Sequence, residues 1–277
     1  MGEYIYYNGA ISGADEKVAG ARNRGLKYGD GVFETMLVKE GQVRLGQYHY
    51  QRMLDGLRTL KFPEPSFLTS LPDIIIDLCE KNRMAALARV RLTVFRGNGT
   101  LTSSDDPIPH LVIESEPVAE DYLSFNKKGL TIDIYKEVKK SCDILSNIKS
   151  NNYLPYLMTA NHAKDNQLDD CLVLNSYDRI CDSSIANLFW VKNNQVFTPP
   201  LSEGCVAGVM RRYLIEKIQS AGYAIEEMIC PKQKLLEADE IFLTNALFGI
   251  RWVQQLREKT YTNKLSSQLY KQFIATL

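Results

Sequence analysis

Three short segments of this 277-residue chain carry side chains whose type and spacing could do chemistry. The first is Ser146-Asn147-Ile148-Lys149-Ser150-Asn151-Asn152-Tyr153, followed by a helix-like stretch with Pro155 in its first turn. A lysine just before a helix start sits in a positive field, which disfavours the ammonium and lowers the amine pKa. A neutral amine is what Schiff-base chemistry requires, although most lysines are solvated surface charges. The second segment, Ser202-Glu203-Gly204-Cys205-Val206-Ala207-Gly208-Val209-Met210-Arg211, opens with small residues into a helix beginning near Val209. Exposed N–H groups at such a start bind phosphate well; an ordinary loop-to-helix junction is the alternative. The third is Asp182, between Cys181 and Ser183 at the end of a strand, either turn-forming or facing the nitrogen of a cofactor ring.

The elements that must position these groups alternate between strand-like and helix-like patterns. Tyr4–Tyr7 followed by Asn8-Gly9 reads as a strand entering a hairpin turn. Val32–Lys39 and Gln42–Leu45 flank Glu40-Gly41 as a second hairpin. From Tyr48, the spacing of Met53, Leu54, Leu57 and Leu60 is helical, and a second helix starts near Pro72. Leu87–Phe95 alternates with period two, with Ala88, Val90, Leu92 and Val94 on one face. Arg89, Arg91, Thr93 and Phe95 form the other face, which is either solvated or a pair of guanidinium forks lining an anion-binding cleft. The polar stretch Glu114–Tyr122 is the best linker candidate. Beyond it, Leu130–Tyr135, Cys171–Asn175, Ile180–Ser183, Leu188–Val191 and Glu240–Thr244 are strand-like. Asn152–Lys164, Val209–Ser220 and Ser266–Leu277 are helix-like. The chain therefore reads as α+β, with an N-terminal lobe over residues 1–116 and a C-terminal lobe over residues 121–277.

Composition narrows the function classes. Hydrophobic residues make up 45% and charged residues 24%, which excludes a disordered chain, a collagen or a disulfide scaffold. The 33 basic and 33 acidic residues cancel, so no general attraction to nucleic acid or anionic lipid is expected. No apolar run approaches the ~18 residues of a membrane span, and MGEYIYYNG lacks a signal-peptide core. Six scattered cysteines without a CxxC pair read as reduced thiols in a cytoplasmic protein. Three isolated histidines leave little basis for a metal site, and none is expected.

Taken together, a lysine, an acid and a phosphate cradle are the three parts of a pyridoxal phosphate site. Their order and spacing resemble the class IV aminotransferase family (fold type IV), which includes branched-chain and D-amino-acid aminotransferases and 4-amino-4-deoxychorismate lyase. The resemblance covers nearly the whole chain. Tyr6-Tyr7-Asn8-Gly9 and Tyr28-Gly29-Asp30-Gly31-Val32-Phe33-Glu34-Thr35 look like the family's opening motifs. His49-Tyr50-Gln51-Arg52-Met53 looks like its HxxR-type helix, with Arg52 implied as a phosphate contact. Lys149 falls at the Schiff-base position, with Asn152-Tyr153 following. Ile180–Phe189 is similar to the segment carrying the pyridine-nitrogen carboxylate, here Asp182 where the family usually has Glu. That side chain is one methylene shorter but keeps the charge. Gly208-Val209-Met210-Arg211 and Thr244-Asn245-Ala246-Leu247 resemble the phosphate-cradling turn and the late loop that closes over the phosphate.

The resemblance implies a two-lobed fold, an N-terminal α/β sandwich and a larger barrel-like C-terminal part, with pyridoxal 5'-phosphate between them. It implies Lys149 as the catalytic amine, and Arg52, Tyr153, Asp182, Val209, Met210, Asn245 and Ala246 as further cofactor residues. Tyr28, Phe33, Arg91 and Arg96 would face substrate, the two arginines suiting a dicarboxylate. Thr35 points to the lyase, in which a threonine can help deliver a proton to the departing pyruvate unit. A lyase acting on aminodeoxychorismate is therefore favoured over a transaminase of branched-chain or other small amino acids, with a non-catalytic cofactor-binding homologue as a third reading. A homodimer is the family expectation, with residues near Tyr28 reaching the partner's site.

Overall fold

The computed structural model describes residues 2–106 and 108–277. They form two compact units, one of residues up to Tyr122 together with Ile148–Asn152, the other of Leu123–Asn147 with Tyr153–Leu277.

The first unit begins with β1 (Tyr4–Tyr7) and β2 (Ala10–Gly13), joined at Asn8-Gly9, where both residues take positive φ as a tight hairpin requires. The short helix α1 (Arg24–Tyr28) is capped by the Asn23 side chain and ends on Gly29 at φ 65°. After it come β3 (Gly31–Lys39) and β4 (Gln42–Val43), turned at Glu40-Gly41, again with positive φ at both. Two helices follow, α2 (Gly46–Thr59) and α3 (Leu71–Lys81), the latter opening with Pro72. β5 (Leu87–Arg96) and β6 (Pro109–Pro117) complete a six-stranded sheet in the order β2-β1-β6-β5-β3-β4. Its pairs are antiparallel.

One face of this sheet is the core. Val32, Met36, Val38, Val90, Leu92 and Val94 pack with Met53, Leu57, Leu71, Ile75 and Leu78 of the two helices. The alternation along β5 is thus a buried face against a partly open one. The expected linker at Glu114–Tyr122 is strand as far as Pro117. Glu114 and Glu116 stand opposite Arg91 and Arg89, and Arg89 is ion-paired to Glu116. Their polarity belongs to a sheet face where charges pair across strands, which sequence alone does not separate from a loop.

The second unit holds nine strands. They are β7 (Leu130–Lys140), β8 (Asp170–Asn175), β9 (Ile180–Ser183), β10 (Asn187–Lys192), β11 (Gln195–Thr198), β12 (Ile225–Glu227), β13 (Glu240–Asn245), β14 (Gly249–Leu256) and β15 (Lys259–Thr260). Four helices accompany them: α4 (Leu154–Asp165), α5 (Val209–Ser220), α6 (Lys232–Glu237) and α7 (Lys264–Phe273). The sheet runs β12-β11-β10-β13-β14-β7-β8-β9, and β9 pairs back onto β10 through Asp182 and Asn187. Six strands, β10-β13-β14-β7-β8-β9, therefore close into a barrel, and closure leaves the ring without open edges. β7 and β8 are parallel and packed by α4, the crossover that a parallel pair needs.

One charged cluster lies inside the first unit's core. Glu34, on the helix-facing side of β3, takes Arg52 Nε at 2.8 Å, pairs with Arg52 Nη2 and lies 2.6 Å from His49 Nδ1. Burial works to raise the Glu34 pKa, but the Arg52 guanidinium and His49 outweigh it and hold the acid down to about 2. A depressed acid stabilises the fold above its unfolded pKa and loses that contribution as pH falls from about 4.5 to about 2. Glu34→Gln should therefore destabilise the protein at pH 7 by about 3 kcal/mol, with the deficit shrinking towards pH 3. Urea unfolding at both pH values measures this, and a deficit independent of pH would contradict the assignment.

Candidate functional site

Lys149 is placed by backbone pairing to β3. Phe33 N–H donates to the Lys149 carbonyl at 2.9 Å, Asn151 N–H donates to Gly31 O at 3.0 Å, and Ser150 bridges Val32. The helix field expected to act on Lys149 has its source five residues along the chain, since α4 begins only at Leu154 and such fields fade within a turn. The glycines before β3 make this docking possible. A Cβ on Gly31 would strike Val94 O and Asn151, and one on Gly29 would press on Asn152. The Tyr28–Thr35 motif is thus a close-approach surface for residues 149–152.

Along β3, Phe33 and Thr35 share the sheet face opposite the helices, where Thr35 pairs in register with Arg91 of β5. The Arg91 guanidinium lies 3.9 Å from the Phe33 ring centroid, and Lys149 Nζ lies 4.4 Å from the same centroid. Two cations therefore gather at one aromatic ring beside a threonine hydroxyl. Arg96 is separate from this group. Its Nε donates to Asp30 Oδ2 at 3.0 Å, its Nη2 to Leu60 O at 2.8 Å, and it lies over Phe62. Asp30 also holds Arg24 at 2.8 Å. Tyr28, at the end of α1, has Arg24 and Lys27 over its ring. Arg52 sits on α2 in the Glu34 cluster.

In the second unit, Asp182 is 1% exposed. Its Oδ2 accepts from Tyr156 Oη at 2.7 Å and Val206 N at 2.9 Å, and its Oδ1 from Asn187 Nδ2 at 2.8 Å. Lys140 Nζ lies 3.4 Å from Oδ2. Burial pushes this carboxyl above its ordinary range, while Lys140 and the donated hydrogen bonds work the other way. Asp170 steadies the turn after Asp182 by accepting from Ser184 N at 3.1 Å and Ser184 Oγ at 2.6 Å.

Asn187 is the hub. Its Nδ2 also donates to Val206 O at 2.9 Å, and it pairs in register with Thr244. Gly208, the residue before α5, lies so close that a Cβ there would collide with Asn187 Oδ1. Val209 and Met210 open α5, whose start carries no side-chain cap. Asn245 shapes the loop after β13, its Oδ1 accepting from Leu247 N and Phe248 N at 3.0 Å each. Ala246 lies in that loop. Tyr153 stacks on Tyr156 with centroids 4.4 Å apart.

Sequence reading passed over Lys140, Tyr156, Asn187 and Glu34. Tyr153 and Tyr156 are three apart in the stretch entering α4, a spacing that puts them on one face. Asn187 is a lone polar residue at the head of the apolar run Leu188–Val191. Lys140 gave no signal, since the Lys139-Lys140 pair reads as surface charge.

The family profile described as Amino-transferase class IV matches residues 31–256. An aminodeoxychorismate lyase of Vibrio harveyi is 31% identical over 230 residues, covering 82% of this chain and 83% of that protein. A 4-amino-4-deoxychorismate lyase structure from Pseudomonas aeruginosa superposes with a TM-score of 0.83 at 27% identity, covering 97% of each chain. A branched-chain amino acid aminotransferase structure from Escherichia coli reaches 0.88 at 20% identity, covering 99% of this chain and 93% of that one, a likeness of fold. The profile match, spanning the barrel and most of the six-stranded sheet, makes the chain a member of the class IV aminotransferase family.

Proposed function

We propose that the protein is a pyridoxal-phosphate-dependent lyase that converts 4-amino-4-deoxychorismate to 4-aminobenzoate and pyruvate. The observation that carries this reading is the grouping of Thr35, Arg91 and Lys149 around Phe33. It offers a hydroxyl, a carboxylate-binding guanidinium and an amine on one face. The 31% identity to a lyase supports it.

The chain's own groups suit the cofactor. Thr244 Oγ1 is buried without a hydrogen-bond partner among the described residues, next to Asn187 and near the uncapped start of α5. A phosphate would satisfy these donors. Val209 and Met210 N–H and the Asn245-Ala246 loop would hold it, and the family resemblance adds Arg52 as a further phosphate contact. Asp182 would meet the ring nitrogen, and Tyr153 would line the ring. When bound, pyridoxal phosphate would supply an aldehyde carbon for Schiff-base chemistry with the Lys149 amine and a ring that withdraws electrons from the substrate carbon.

The remaining work belongs to side chains. Lys149 Nζ takes the proton from the substrate carbon that bears the amine. Loss of that proton aromatises the ring as the enolpyruvyl C–O bond breaks. Thr35 Oγ1 delivers a proton to the departing unit, which leaves as pyruvate. Arg91 and Phe33 orient the substrate, the guanidinium on a carboxylate. Arg96, with its charge shared with Asp30, acts at most at the edge of this group.

The branched-chain fold likeness keeps amino-group exchange as the second reading. Soluble assays separate the two. The lyase releases pyruvate from aminodeoxychorismate with no 2-oxo acid present; a transaminase needs the acceptor, and absence of pyruvate sinks the lyase assignment. Borohydride should fix the cofactor on Lys149, and Lys149→Ala should abolish turnover and that label together; full retained activity overturns the site. Arg91→Gln should raise KM roughly 10- to 100-fold with cofactor retained, and equal loss of cofactor would contradict its role.

No helix among the described residues is long and apolar enough to cross a membrane. A cytoplasmic homodimer belongs to the same proposal. Leu154, Leu157 and Met158 on α4 are 69%, 52% and 45% exposed, an apolar stripe at helical spacing that a second copy would cover. Leu157→Asp should shift the sedimentation coefficient towards a monomer; an unchanged dimer would remove this stripe from the interface.

A further inference from the structure

Lys140 is a charge that the proposed chemistry does not use. It is the last residue of β7 and only 7% exposed, a rare state for a lysine unless paired. Its Nζ donates to Ser146 O at 3.2 Å and to Tyr156 Oη, and lies 3.4 Å from Asp182 Oδ2. Tyr156 Oη donates its own hydrogen bond to that same oxygen at 2.7 Å. With Val206 N–H, three donors crowd Oδ2, whereas among the described residues Oδ1 accepts from Asn187 alone. A carboxylate oxygen accepts about two hydrogen bonds, so Oδ2 is saturated and Oδ1 keeps one open lone pair.

A carboxyl buried this deeply tends to take a proton and become neutral. The neighbours here oppose that. Cys181 and Cys205 also face the cluster, but burial drives both thiols up, Cys205 to about 12, and Tyr156 is raised well above its ordinary value. These three stay neutral, leaving Lys140 as the charge that balances Asp182.

We propose that Lys140 and Tyr156 are positioning residues that keep Asp182 ionised and hold its Oδ1 open to a protonated pyridine nitrogen. The inference rests on the cofactor reading above. It gives the short aspartate a mechanism: instead of reaching, the carboxylate is clamped from behind by a cation and a phenol. A charge-assisted bond to the ring is then about twice as strong as the neutral one an un-ionised acid would make.

The test compares two probes on the full-length protein stripped of cofactor. Pyridoxal phosphate carries the ring nitrogen; its 1-deaza analogue has a C–H there and cannot donate to Asp182. Dissociation constants are read from the visible absorbance for wild type, Lys140→Met, Lys140→Arg, Tyr156→Phe and Asp182→Asn. Wild type should prefer pyridoxal phosphate over the analogue at least tenfold. Lys140→Met and Tyr156→Phe should each shrink that preference by roughly tenfold, and Lys140→Arg should largely restore it. A purely structural role for Lys140 would weaken both probes equally and leave the ratio unchanged, which overturns the proposal. So would a wild type with no preference between the probes. Should Lys140→Met fail to fold, the Tyr156→Phe ratio decides. If wild type takes up neither probe, the cofactor reading itself fails, an outcome distinct from a wild type that binds both alike.

Discussion

The closure of the barrel and the carriage of its buried carboxylate are one interaction. β9 meets β10 where Asp182 stands opposite Asn187, and the two side chains are joined at 2.8 Å. A six-strand ring must close somewhere, and closing it with a hydrogen-bonded acid–amide pair settles several things at once. It fixes the Asn187 amide, which then reaches Val206, abuts Gly208 and stands beside Thr244. The loop ahead of α5 and the end of β13 are thereby referred to the same point. An apolar pair at the seam would close the barrel as well but would leave those three segments without a common anchor.

Charge within each unit follows a second pattern: several deep carboxylates are answered by cations, while Asp170 and Glu240 are held by hydroxyl and backbone donors. Glu34 is held by Arg52 and His49, Asp30 by Arg24 and Arg96, and Asp182 by Lys140 with Tyr156. Arg89, half of the arginine pair on β5, is answered by Glu116 on the neighbouring strand. Each of these buried pairings answers the cost of leaving a buried charge alone. Two carboxylates of similar burial end up on opposite sides of the ordinary value. Glu34 is driven down by a bidentate arginine and a histidine, and Asp182 up, because its single cation stands farther off.

Local signals in the sequence were legible wherever one or two residues decide the backbone. Asn8-Gly9 and Glu40-Gly41 take the positive φ that tight hairpins need, Pro72 opens α3, and period two marks β5. Asp182 lies in a strand and Gly208 directly precedes a helix, as the sequence pattern around each suggests. What stayed hidden depends on partners far along the chain. Glu114 and Glu116 look like linker until the arginines opposite them are known. β14, with Arg251, Gln254 and Gln255, lacks a clean apolar face; β13 is its hairpin neighbour, but β7, its parallel partner on the other side, lies far back along the chain. Lys140 and Asp182 are forty-two residues apart and meet only through the barrel. The pull of α4 on Lys149 was the plausible local argument; backbone pairing to β3 is what locates that lysine.

That pairing has a consequence for the order in which the protein can be completed. Residues 148–152 supply the outer neighbour of β3 at Gly31–Phe33, yet they are synthesised after all six strands of that sheet and the first strand of the barrel. On the ribosome, the first unit therefore waits with a bare stretch of backbone until the chain has passed Asn152. A fragment ending at Tyr122 would have every strand of its sheet and still lack its final seam. The same seam makes the first unit impossible to excise with one cut, because its sequence is interrupted by the opening of the second.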